Sequence, residues 1–156
     1  EGNGFRYQME QFQEERIFGA AGALKMLDQV IKDTIEYTSQ RKAFGKSISE
    51  YQNTQFELAE CKTEATIGKV FVDYCINEHL NGNLTTEMAS MAKYWLTDLQ
   101  SKIIDRCLQL HGGYGFMNEY PIARMYRDNR VERIYGGTNE IIQDGLNGYL
   151  VKYQDM

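Results

Sequence analysis

At 156 residues the chain has the length of a single domain and can bury a sizeable core. Its 42% hydrophobic and 25% charged residues are ordinary for a globular protein. A net charge of −5 with no Lys/Arg run argues against a nucleic-acid surface, and no stretch approaches the ~20 apolar residues that cross a bilayer.

The opening residues Glu1–Phe5 form no signal or transit sequence and read as the interior of a longer protein. From about Tyr7 to Ser39, Ile17, Leu24, Leu27, Val30, Ile31 and Ile35 recur at helical spacing. The small residues from Gly19 to Ala23 leave room for a close neighbour. Arg41 to Ser47 is a polar connection, and Ser47 with Glu50 forms a capping box. A second long helix runs to about His79, with Phe56, Ala59, Ala65, Val70 and Cys75 expected to face inward.

Asn81-Gly82-Asn83 breaks the pattern, and Thr85 or Thr86 caps a third helix through Met88, Met91, Trp95, Leu99, Ile103 and Leu108 to His111. Gly112-Gly113 stops it. A short helix follows the sole proline, Pro121, and a last one follows Gly137 with Ile141, Ile142 and Leu146. Strand signals are nearly absent. Three helices of roughly 25 to 32 residues, each about 40 to 48 Å long, with a shorter fourth, predict an all-α antiparallel four-helix bundle.

Cys61, Cys75 and Cys107 lie inside helical patterns and read as small core hydrophobes in a reducing compartment. Cys75 and His79 share a helix face, but two ligands make no zinc site, so no metal is expected. The Asn83-Leu84-Thr85 sequon reads as a chance match.

Glu14-Glu15-Arg16, at the front of the first helix, has two readings. Acids near a helix start are favourable in themselves. Alternatively, Glu15 faces an apolar pocket that makes its carboxylate a usable base. Arg41 beside Phe44 is either a solvated turn residue or a phosphate grip, to which Gln52 could add a hydrogen bond. The run from Gln109 through His111 and Gly112-Gly113 lacks dinucleotide-fingerprint spacing and follows a helix, so it reads as a helix stop whose bare backbone can touch a ligand. Gly136-Gly137 before Thr138-Asn139-Glu140 lets the backbone pass close to a ligand ahead of a helix start.

Gln40–Gly45, Leu108–Gly115, Glu119–Pro121, Arg127-Asp128 and Ile134–Thr138, in this order and spacing, resemble the C-terminal helical domain of the acyl-CoA dehydrogenases. The resemblance spans essentially the whole chain. It implies that residues 1–6 end a linker from an upstream β domain and that 7–156 form the bundle. It also implies non-covalent FAD, an acyl-CoA substrate oxidised at Cα–Cβ, a homotetramer, electron-transfer flavoprotein as the electron acceptor, and the bacterial cytoplasm or mitochondrial matrix as location.

Carried over by position, Arg41, Gln52, Gln109, His111, Gly112 and Gly113 match contacts to a neighbouring subunit's FAD, and Thr138, Asn139 and Glu140 match contacts to the subunit's own. Gln13, Arg16, Gly136 and Gly137 match acyl-CoA contacts. Many members place the catalytic carboxylate where this chain has Gly136. In a subset resembling the long-chain and isovaleryl enzymes the base precedes an arginine on the first helix, which points to Glu15. The alternatives are a flavin acyl-CoA oxidase and a non-catalytic helical assembly module, and these residues alone are expected not to turn over.

Overall fold

The computed structural model describes residues 2–153. Three long helices dominate it: α1 (Gly4–Gln40), α2 (Gln52–Leu80) and α3 (Thr86–His111). Two shorter ones follow, α4 (Pro121–Asp128) and α5 (Asn139–Tyr153). Residues 81–85 span at most about 18 Å, far less than α2 or α3, so the two must run antiparallel. Helix α3 is the hub, packing against α1, α2, α4 and α5. The expected all-α bundle is the observed fold.

The local signals explain the boundaries. The Thr85 hydroxyl accepts the Met88 N–H at 3.2 Å and caps α3. Gly112, at φ +57°, ends it. The Glu50 carboxylate accepts the Ser47 N–H at 2.6 Å, although this box opens a 3-10 turn (Ile48–Glu50) and α2 starts only at Gln52. Helix α1 begins at Gly4, inside the stretch expected to be linker, because nothing between Gly4 and Tyr7 interrupts a helix.

The core joins Leu27, Val30 and Ile31 of α1 to Cys61, Val72 and Cys75 of α2 and Leu96, Ile103, Ile104 and Cys107 of α3. All three cysteines are free and buried. On α2 the inward stripe is Thr54, Cys61, Ala65, Gly68, Val72 and Cys75. Phe56 (58% exposed), Ala59 and Val70 (67% exposed) therefore face outward, against expectation. The 61–65–68–72–75 spacing selects small side chains that let α2 lie close to α3, and larger apolar groups are left on the far face. Ile35, Met91 and Trp95 are likewise exposed rather than core.

Residues 42–47 form a hairpin of two-residue strands, β1 (Lys42–Ala43) and β2 (Lys46–Ser47), with Lys42 opposite Ser47. Phe44 and Gly45 both have positive φ, 51° and 86°, the twist that joins adjacent strands in two residues. Strands this short show no alternation in sequence. No helix among the described residues is long and apolar enough to cross a membrane.

Candidate functional site

A cavity of about 530 Å³ opens between residues 11–19 of α1, Lys93 and Thr97 of α3, and the segment before α5. Glu15 and Gly19, four residues apart on one face of α1, line it with Phe12 and Phe18. Lys93 and Thr97 of α3 and Tyr135 and Gly136 complete the wall. The glycine next to a half-buried Arg16 therefore comes from a segment 120 residues away.

Arg16 ties these elements together. Its Nη1 donates to the Ser90 hydroxyl at 2.9 Å, and its Nε reaches the Gly136 carbonyl at 3.5 Å, the outer limit of a hydrogen bond. Lys93, only 3% exposed, donates to the Gly137 carbonyl at 2.9 Å and to Asn139 Oδ1 at 2.8 Å. The Asn139 amide in turn donates to Thr97 Oγ1 at 3.0 Å and Asp98 Oδ1 at 2.9 Å. Gly136 and Gly137 have φ of +67° and +96°, so this turn needs residues without a Cβ.

Burial lowers the Lys93 pKa to about 8, with the Arg16 charge adding to the effect and Glu132, Asp98 and Glu140 opposing it. Burial also lowers that of Arg16. Tyr135 is pushed up to about 12 by burial and by its hydrogen bond to Glu132.

The expected acyl-CoA group divides in two. Arg16 and Gly136 meet at the cavity, which the expected base Glu15 also lines. Gln13 instead turns toward α3, donating to Thr86 Oγ1 at 2.6 Å. Gly137, the second glycine of the turn, does not line the cavity, and an added Cβ would sit 3.5 Å from Ile142 and 3.7 Å from Arg16 Nη2. Glu15 is exposed, so residues of this chain alone do not supply the dry surroundings expected of a base. Glu14 borders the same cavity but lies 3.6 Å from His79 Nε2.

A second cleft, of about 650 Å³, gathers Arg41, Gln109, His111, Gly112 and Gly113 at the C-terminal end of α3. Gln52, at the start of α2, does not line it. His111 is buried, its Nδ1 2.9 Å from the Cys107 carbonyl and its ring stacked on Tyr37 at 4.2 Å. Burial keeps its pKa low. The Arg41 guanidinium lies 5.2 Å from the Tyr114 ring centroid, a cation–π distance. A Cβ added at Gly112 or Gly113 would meet nothing within 4 Å. This bare-backbone ledge, with Arg41 beside it, suits a phosphate-bearing ligand.

Thr138 caps α5, its carbonyl accepting the Ile142 N–H at 3.0 Å. Asn139 is 2% exposed and spends its amide inside the protein, so it holds the turn rather than facing a ligand, unlike the expected contact. Glu140 is exposed beside it. Sequence reasoning did not assign Lys93 to the site. The available signal was a lysine on the Ala89–Leu96–Gln100 stripe, where a charge needs a partner.

Residues 2–146 match the model of the acyl-CoA dehydrogenase C-terminal domain. The chain is 45% identical over 144 residues to the mouse mitochondrial long-chain specific acyl-CoA dehydrogenase, covering 92% of this chain and 34% of the relative. An acyl-CoA dehydrogenase crystal structure from Geobacillus kaustophilus superposes with a TM-score of 0.93 at 45% identity, over 96% of this chain and 40% of that one. A glutaryl-CoA dehydrogenase from Mycobacterium smegmatis, solved in complex with FADH2, gives 0.87 at 27% identity over 91% and 37%. The chain thus spans about a third of the length of the curated relative (34%). A helical bundle hinged on α3, with a two-glycine turn clasped by Arg16 and Lys93, matched over residues 2–146, belongs to the acyl-CoA dehydrogenase family as its C-terminal domain.

Proposed function

We propose that this chain is the C-terminal domain of an FAD-dependent acyl-CoA dehydrogenase in which Glu15 removes the α-proton of the acyl thioester. The observation that carries this reading is that Glu15 lines one cavity with Gly136, the position to which the family resemblance assigns the acid of many members. An acid on α1 can replace an acid on the turn if both border the same space, because proton abstraction depends on reach and not on which segment holds the base.

FAD, when bound, supplies the two-electron acceptor that takes the β-hydrogen as hydride. This chain contributes the rest. Glu15 accepts the α-proton, and Arg16 holds α1 against the Gly136 turn. Gly112, Gly113 and Arg41 offer the ledge and charge for a phosphate-bearing cofactor. An assembly of subunits, a homotetramer by family resemblance, would let that distant cleft serve a neighbour's cofactor. Electron-transfer flavoprotein is the proposed acceptor of the electrons. Closure by the rest of the polypeptide or by a neighbouring subunit would dry the surroundings of Glu15.

The test is anaerobic mixing of the full-length flavoprotein with acyl-CoA thioesters. Bleaching of the bound flavin supports the reading, and an absence of flavin would favour an assembly module instead. Fast oxygen consumption with the same substrates would mark an oxidase.

A further inference from the structure

Lys93 is a cation with almost no exposure, placed in the hub helix and facing the turn that borders the reaction cavity. That turn cannot hold itself. Both of its glycines sit at positive φ and carry no side chain to pack, and unrestrained glycine is the most mobile of residues. Its two carbonyls are instead met from outside, Gly137 by Lys93 from α3 at 2.9 Å and Gly136, more loosely, by Arg16 from α1 at 3.5 Å. The second Lys93 bond, to Asn139 Oδ1, locks the first residue of α5 to the same point.

A buried ammonium is costly, and a core position could hold a Met of equal length. Its retention is accounted for by the geometry of the turn. Resting on the reading of this cavity as the acyl-thioester site, we propose that Lys93 is a positioning residue that holds the Gly136–Gly137 backbone at the register the substrate needs. The residue acts through the turn and is no acid or base in the reaction.

The charged groups around it are Arg16 on α1, Asp98 on α3, Glu132 before the turn and Glu140 on α5. With its pKa near 8, the ammonium becomes a neutral amine just above physiological pH, and its grip on two oxygens weakens. Arginine stays charged throughout.

The experiment follows flavin reduction by acyl-CoA in the full-length holoenzyme, as wild type, Lys93→Met and Lys93→Arg, from pH 6 to 10. The wild type is expected to lose rate through about pH 8. Lys93→Met is expected to reduce its flavin at least 10-fold more slowly at pH 7, with KM raised, FAD content unchanged and the alkaline limb gone. Lys93→Arg is expected to recover part of the rate and to lack that limb. Wild-type rate and pH profile in Lys93→Met would overturn the proposal. If Lys93→Met does not fold, Lys93→Arg decides, and an unchanged alkaline limb there overturns it. A wild type that no acyl-CoA reduces contradicts the functional reading itself, a separate result.

Discussion

The Arg16 guanidinium bridges Ser90 of α3 and the Gly136 carbonyl, so one side chain joins the first helix, the hub helix and a turn 120 residues downstream. The bridge sets how α1, which carries Glu15, sits against the Gly136 turn. Ser90 is 5% exposed, and its hydroxyl is 2.9 Å from Nη1.

Arg16→Met therefore strips a donor from a buried hydroxyl and should destabilise the domain by about 1–3 kcal/mol in urea titration. Arg16→Lys should recover little, because one ammonium cannot reproduce the fork that spans two acceptors. In the full-length enzyme both variants should raise KM for acyl-CoA at least 10-fold while FAD content stays unchanged. An unchanged KM in Arg16→Met would count against the bridge.

Lys93 also predicts a stability profile. In the unfolded chain it holds its proton to about pH 10.5, in the fold only to about 8. Between these values the unfolded chain binds more protons, so stability contributed by this group rises with pH. Below pH 8 the full penalty of burying the charge applies, and above about 10.5 it is gone. The gap corresponds to about 3 kcal/mol. Urea midpoints of wild type minus Lys93→Met should increase across that window, and a flat difference would show that Lys93 is not desolvated in the fold.

Two neighbouring glycines should behave oppositely. A Cβ at Gly115 would lie 2.6 Å from the Leu108 carbonyl oxygen, which cannot move without unwinding the end of α3. Gly115→Ala should cost about 3 kcal/mol or more. A Cβ at Gly113 meets nothing within 4 Å, so Gly113→Ala should change stability by less than about 0.5 kcal/mol. If the ledge at Gly112-Gly113 holds FAD, the same variant should lower cofactor content in the assembled enzyme. Thermal melts and the flavin-to-protein ratio check both.

The helices were legible because their signals are local. Thr85, Pro121 and Gly112 act within a turn of themselves. The inward face of α2 was not, because Phe56 and Val70 are apolar enough for a core and only the partner helix decides that small residues pack there. Glu15, Arg16 and Gly136 were brought together by family position and meet in the fold. Lys93 escaped assignment because its reason is a backbone carbonyl 44 residues away, and carbonyls have no letter in a sequence. Asn139 reads as a ligand contact in sequence because the partners of its amide, Thr97 and Asp98, lie 42 and 41 residues away on α3.

Glu15 is the carboxylate proposed to abstract the α-proton. The most direct test is the anaerobic single-turnover rate of flavin reduction by acyl-CoA in full-length Glu15→Gln, beside Glu14→Gln. Glutamine preserves shape but cannot take the proton, and a positioned base contributes about 10²–10⁴-fold. A base at Glu15 requires a loss of that size in Glu15→Gln with FAD still bound, and a rate within about threefold of wild type in Glu14→Gln. Near-normal reduction by Glu15→Gln, or the large loss falling on Glu14→Gln, would contradict it.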